Sequence, residues 1–195
     1  MNQNPVFSIG IDPGWKNLGL GIVQQIPGSY KSKLVYSTTL NPSSYESPEF
    51  FVEQALDDII AVAIGGSYLK NVKHFTIERY VAYANVKTSE TENITSLIGM
   101  MSLYAYQASL SFGKDDHPLD RTLVRAIEWK VGIAQLLAKH TTFRNPSTQL
   151  DKKFSIAVAK ELIDGNGKFE TDHEADAIAL AAIPFAREVL LLKSS

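Results

Sequence analysis

Three acids stand where chemistry can be done. Asp12 follows a short apolar run, Glu78 ends another, and Asp176 lies near the start of a long apolar helix. Asp172 and His173 precede Asp176 by four and three residues, which places both on one helical face with it. Oxygen ligands gathered at one point repel each other unless a cation neutralises them, and hard oxygen donors select Mg²⁺ or Mn²⁺. Two such ions about 4 Å apart can generate a nucleophilic water and stabilise a leaving oxygen in phosphodiester hydrolysis. Each residue also has a plainer use. Asp12-Pro13-Gly14 alone is a tight turn, and a lone Glu at a strand end is solvated. Asp172 suits the positive end of a helix dipole, and a lone His173 is an ordinary surface histidine. The chemical reading requires elements that bring all of them together.

The hydrophobic pattern defines those elements. Val6–Ile11, Leu18–Ile26 and Leu34–Leu40 read as three meandering strands, separated by Asp12-Pro13-Gly14 and Pro27-Gly28-Ser29. After the loop Pro42–Pro48, with Ser47 as N-cap, Phe50–Ile64 has helical period, with Phe51, Ala55, Ile59 and Val62 on one face. Gly65-Gly66 ends it. Val72–Glu78 is a fourth strand. Glu90–Phe112 is a long helix, striped by Ile94, Leu97, Ile98, Met101, Ala105 and Ala108. Gly113–Pro118 is polar turn material, and Thr122–Ile127 is a fifth strand. Glu128–His140 and Phe154–Ile163 are helical, joined by a polar, basic loop. The last helix begins near Asp172 and runs to Leu190, with a kink expected at Pro184. Three meandering strands followed by α/β alternation indicate one mixed sheet flanked by helices.

Composition narrows the classes. The chain has 195 residues, the length of one domain with a sizeable core. It has no Cys, which excludes disulfides, thiolate zinc sites and cysteine nucleophiles. No signal peptide and no bilayer-length apolar run is read, so a cytoplasmic protein is expected, with no membrane partner and no organic cofactor. The formal net charge of −2 argues weakly against nucleic acid. The distribution argues otherwise. Residues 41–60 carry five acids and no base, whereas residues 121–160 carry eight Lys/Arg against two acids. Such a basic segment suits a phosphate backbone, although a charge run alone is often just a solvated helical face.

Ser8-Ile9-Gly10-Ile11-Asp12-Pro13-Gly14, with Gly19-Leu20-Gly21-Ile22-Val23 after it, resembles the opening of RuvC-type Holliday junction resolvases, within the RNase H-like nuclease superfamily. Phe75-Thr76-Ile77-Glu78-Arg79 resembles that family's second motif. His173-Glu174-Ala175-Asp176-Ala177-Ile178-Ala179-Leu180-Ala181 resembles its C-terminal motif. The match runs through most of the chain. It implies an α/β, RNase H-like domain over residues 1–195: a five-stranded mixed sheet of order 3-2-1-4-5 flanked by helices. It also implies that Asp12 bridges two Mg²⁺ or Mn²⁺ ions, Glu78 shares one or orients the water, and Asp176 binds the other. The fourth ligand, an acid in many members and a His in some, falls by spacing on His173, with Asp172 the competitor one residue out of register.

The resemblance further implies in-line hydrolysis of DNA, with 5′-phosphate and 3′-hydroxyl ends, by a homodimer that nicks a four-way junction symmetrically. The long helix Glu90–Phe112, with Gly99, Met100 and Met101, is a candidate dimer element, or simply a core helix. Trp129-Lys130 resembles an element of some members, although Trp129 could equally be core. Lys130, Lys152 and Lys153, with Arg144 and Arg79, are candidates for phosphate contact. The family's aromatic wedge position is occupied here by Val81, flanked by Tyr80 and Tyr83, either of which could stack on an unpaired base. A related nuclease debranching flaps, forks or replication intermediates is the nearest alternative. An inactive RNase H-like DNA-binding module is another. The actin-like ATPases and sugar kinases share an Asp-Gly-rich opening but need a duplicated domain, for which 195 residues is too short. The setting expected is a bacterial cell or one infected by a virus.

Overall fold

A computed structural model describes residues 5–64, 71–80, 89–112, 119–145, 149–165 and 167–192. Its first three strands are β1 (Phe7–Asp12), β2 (Leu18–Gln25) and β3 (Ser32–Leu40), joined antiparallel. β4 (Val72–Arg79) returns parallel to β1, and β5 (Asp120–Arg125) parallel to β4. The sheet order is β3-β2-β1-β4-β5, as the resemblance implies. No helix among the described residues is long and apolar enough to cross a membrane.

One sheet face is covered by α1 (Pro48–Phe51), a π-helical stretch (Val52–Leu56), α2 (Asp57–Ala63) and α3 (Ser89–Phe112). Ile9 and Ile11 of β1 and Leu20 and Ile22 of β2 point into this layer. The other face carries α4 (Ala126–His140), α5 (Lys152–Leu162) and α6 (Asp172–Leu192). Period-two alternation therefore sends Ser8, Gly10 and Asp12 of β1 towards α6.

That side is built for close approach. A Cβ at Gly10 would lie 2.1 Å from the Ala177 carbonyl oxygen, and one at Gly19 would lie 2.1 Å from the His173 carbonyl oxygen. One at Gly21 would meet the Ile178 nitrogen at 2.7 Å. The helix answers with its own small residues, Ala175, Ala177, Ala179, Ala181 and Ala182, all fully buried. Backbone thus rests on backbone.

Several boundaries differ from those read in the sequence. The fifth strand ends at Arg125 rather than Ile127, because the Glu128 carboxylate accepts the Arg125 backbone N–H at 3.1 Å and starts α4 at Ala126. The helical face after Ser47 changes phase. Phe51 and Ala55 are buried as expected, but Val62 is 81% exposed and Ile60 is buried in its place. The π-helical stretch inserts an extra residue into its turn and so rotates α2 about the helix axis. Ser47 does cap this helix, accepting from the Phe50 N–H. Pro184 stands inside α6, and the helix runs on past it to Leu192. Gly65-Gly66 and Gly113–Pro118 lie outside the described residues. The α3 stripe Leu97, Met101 and Ala105 is buried against the sheet, so Met101 serves the core.

Gly10→Ala and Gly19→Ala should each cost about 3 kcal/mol of stability, since neither backbone neighbour can yield. Gly99→Ala should instead gain up to about 1 kcal/mol, because nothing lies within 4 Å of its missing Cβ. Urea unfolding of the three variants checks both signs. A wild-type midpoint for Gly10→Ala would remove the close-approach account.

Candidate active site

Asp12 ends β1 and Glu78 is the penultimate residue of β4, and the two strands pair in parallel with Ile11 opposite Ile77. Both carboxylates therefore emerge at the same edge, at the carboxyl ends of adjacent parallel strands, where open α/β sheets hold ligands. Gly19 pairs with Asp12 across the β1–β2 ladder, and the first turn of α6 lies on Gly19. That contact delivers His173, whose Nδ1 lies 2.7 Å from Asp12 Oδ2. One turn on, Asp176 faces Lys130 of α4, with Nζ 3.2 Å from Oδ2.

The start of α6 is pinned by residues to which the motifs assign no role. The Glu174 N–H donates to Thr171 Oγ1 at 3.1 Å, and the Glu174 carboxylate accepts the Glu170 N–H at 3.1 Å. The Thr171 hydroxyl also meets Thr39 on β3 at 2.7 Å. Glu174 thus faces β3, on the side away from Asp12. An acid three residues after a threonine was the signal for this cap.

Each carboxylate at the site takes a donor of its own. Asp12 has His173 and Asp176 has Lys130. Glu78 Oε2 accepts the Trp129 indole N–H at 2.8 Å. Trp129 is 1% exposed, and Lys130 Nζ lies 5.0 Å from its ring centroid. Among the described residues no set of three His, Asp or Glu side chains closes on one point tightly enough to hold an ion. Their charges are nevertheless coupled. Burial pushes the Glu78 carboxyl up to about 7, and repulsion from Asp12 and Asp176 adds to the rise, against the Trp129 hydrogen bond and Lys130. Burial also raises Asp176, with Lys130 opposing it. His173 is raised chiefly by its hydrogen bond to Asp12.

In donor chemistry, though not in the spacing of its ligands, the site suits a hard divalent cation. Asp176 is buried with the Ser155 hydroxyl and Lys130 beside its carboxylate, and its Oδ1 makes no close hydrogen bond, an acceptor of the kind a cation satisfies. The donors are carboxylate oxygens and one imidazole, without thiolate. Asp172, the competing position, is turned away. It pairs with Lys152 at 2.7 Å, which lowers its pKa, and both side chains are well exposed.

The basic residues separate by depth. Lys130 is turned inward to Asp176. Lys152, Lys153, Arg144 and Arg79 are exposed, as is Tyr80. Arg144 donates to the neighbouring Phe143 carbonyl. Tyr83 and Val81 lie outside the described residues. Sequence reasoning set Trp129 between core and function, and only the fold shows its N–H on Glu78.

No protein-family model and no curated protein matches the chain. Solved structures do. Thermus thermophilus RuvC in complex with Holliday junction substrate superposes with TM-score 0.63 at 17% identity, over 94% of this chain and 95% of that one. A second Thermus thermophilus RuvC structure gives 0.62 at 18% identity, over 97% of each chain. The fold is the RNase H-like fold of RuvC.

The raised pKa of Glu78 has a consequence for stability. An acid whose folded pKa lies above its unfolded value favours folding at low pH, and that contribution is lost as pH rises through the folded value. Between pH 5 and 8 in chelator, the wild type should lose about 2–3 kcal/mol relative to Glu78→Gln. Equal pH slopes for the two proteins would show that Glu78 is not the source.

Proposed function

We propose that the chain, as one nuclease domain over residues 1–195, is a divalent-metal-dependent, structure-selective DNA endonuclease. It resolves four-way junctions by symmetric nicks that leave 5′-phosphate and 3′-hydroxyl ends. The convergence of Asp12, Glu78, His173 and Asp176 at one sheet edge of an RNase H-like fold carries this reading. The junction bound to the neighbouring RuvC favours branched DNA as the substrate.

Asp12, Glu78, Asp176 and His173 would hold Mg²⁺ or Mn²⁺, two ions per subunit, which supply Lewis acidity and neutralise phosphate charge. The chain's own groups do the rest. Glu78 orients the attacking water, whose oxygen displaces the 3′ oxygen at phosphorus. Lys130 holds Asp176 and puts positive charge beside the phosphate as its own charge grows. Lys152, Lys153, Arg144 and Arg79 fix the backbone by phosphate contact, at no cost in sequence generality. Tyr80, exposed just past β4, stacks on a base unpaired at the branch, with Tyr83 beside it in sequence. Two cuts related by a two-fold axis call for two copies of the site. The flank of α3 that leaves Leu103 and Tyr106 exposed, with Leu123 on edge strand β5, offers a homodimer its apolar surface.

Purified protein should cut a synthetic four-way junction in Mg²⁺ in preference to a fork, a flap or linear duplex. Equal cutting of forks and flaps would make it a general debranching nuclease, and tight binding without cleavage a binding module. Asp12→Asn should abolish cleavage while junction affinity in chelator stays within about twofold, because the phosphate contacts are untouched. Normal cutting by that variant would remove the site assignment.

Lys152→Ala combined with Lys153→Ala should weaken junction binding. The log–log salt slope should become shallower by about 2, roughly one counterion per lost phosphate contact. An unchanged slope would move the DNA surface elsewhere.

A further inference from the structure

Trp129 contributes its indole body to the core and its N–H to Glu78. The body is fixed. It is 1% exposed and sits in the cluster with Ile133, Leu180 and Ile183. Its helix begins one turn earlier at a start fastened by Arg125 and Glu128. A ring held in this way has little freedom of its own, so its N–H is a fixed point in the site.

The ring fills the core, and its N–H does something further. Beside Trp129 lies a cavity of about 30 Å³, lined by Thr76, Thr122, Val124, Leu180, Ile183 and Arg187. The buried Thr76 hydroxyl has no hydrogen-bond partner. What the geometry of Trp129 does satisfy is the 2.8 Å hydrogen bond to Glu78 Oε2.

The bond also differs in kind from that of its neighbour. Lys130 holds Asp176 with a positive charge, which competes with any cation for the same carboxylate. The indole is a donor without charge or acceptor. It can fix a carboxylate oxygen and leave the anion's charge available to a metal. With Oε2 taken, Oε1 is the oxygen of Glu78 that nothing else bonds among the described residues.

We propose that Trp129 is a positioning residue for the metal site: its indole N–H holds Glu78 in one rotamer, with Oε2 engaged and Oε1 presented for a divalent cation. This rests on the reading of the chain as a metal nuclease. Outer groups that orient a ligand characteristically govern metal affinity by about 10–100-fold.

The test is Mn²⁺ affinity of the full chain by calorimetry, with no DNA present. Two changes at position 129 separate shape from hydrogen bond. One is Trp129→Phe. The other is a benzothienyl side chain, in which sulfur replaces the N–H within a ring of nearly the same shape. Both should bind Mn²⁺ about tenfold or more weakly than wild type, and the benzothienyl protein, which keeps the ring's shape, should unfold cooperatively at a higher temperature in chelator than Trp129→Phe. Wild-type affinity in the benzothienyl protein would overturn the proposal, whatever Trp129→Phe does, and leave Trp129 a core residue. Failure of the metal reading itself would appear separately, as absence of Mn²⁺ binding by the wild type.

Discussion

The structure depends on one contact, the backbone of α6 laid directly on the glycines of β1 and β2. Gly10, Gly19 and Gly21 remove the side chains that would hold the helix off the sheet. The consequence is positional. Asp12 and Gly19 are ladder partners, and the His173 carbonyl sits against Gly19. The same approach that packs the helix therefore sets the distance between an acid on a strand and an imidazole on a helix. Spacing the helix outward by one methyl group would widen the Asp12–His173 separation and that of Asp176 from both strand acids. Tight packing and site assembly are one constraint here, which is why small residues run on both sides of the seam.

That seam brings like charges together, and the fold has to manage them. Three carboxylates at one edge destabilise each other, and Glu78 shows it in a pKa pushed up to about 7 by burial and by its acidic neighbours. Three donors of different chemistry answer them: an imidazole, an indole and an ammonium. Two of these, Trp129 and Lys130, are consecutive on α4 and reach acids from two different elements. The start of α4 therefore matters as much to the site as the start of α6. Both starts are fastened by a glutamate three residues into the helix, Glu128 in one and Glu174 in the other. Residual repulsion at such a cluster is the usual cost of a site kept ready for a charged ligand.

Much of this was legible in the chain because it is carried by local signals. Period-two runs marked the strands, period-3.6 runs the helices, and the acids stood at their ends. The strand order came from resemblance, since no local pattern says that the fourth strand pairs with the first. The features that could not be read share a physical origin in tertiary context. A π-helical stretch leaves no clear mark in the sequence, yet it moves burial from Val62 to Ile60. Ile127 looks like strand, but the Glu128 cap converts Ala126 onward to helix. Spacing puts Asp172 on the face of Asp176. The observed turn towards Lys152 depends on where α5 lies, and spacing holds no information about that.

The average charge misleads for the same reason. A net charge of −2 describes a molecule whose acids and bases are sorted by depth as well as by segment. Within the basic stretch, Lys130 is withdrawn into the site against Asp176, while Lys152 and Lys153 remain outside. The two groups differ in what salt can do to them. Exposed lysines act through a screened, counterion-dependent attraction, whereas a partly buried ion pair is screened far less. One basic segment therefore supplies both an inner lysine that balances charge beside Asp176 and outer lysines that face solvent. The outer lysines stand apart from the carboxylates, which are set back between β1, β4 and α6, so an acidic average is compatible with a basic outer surface.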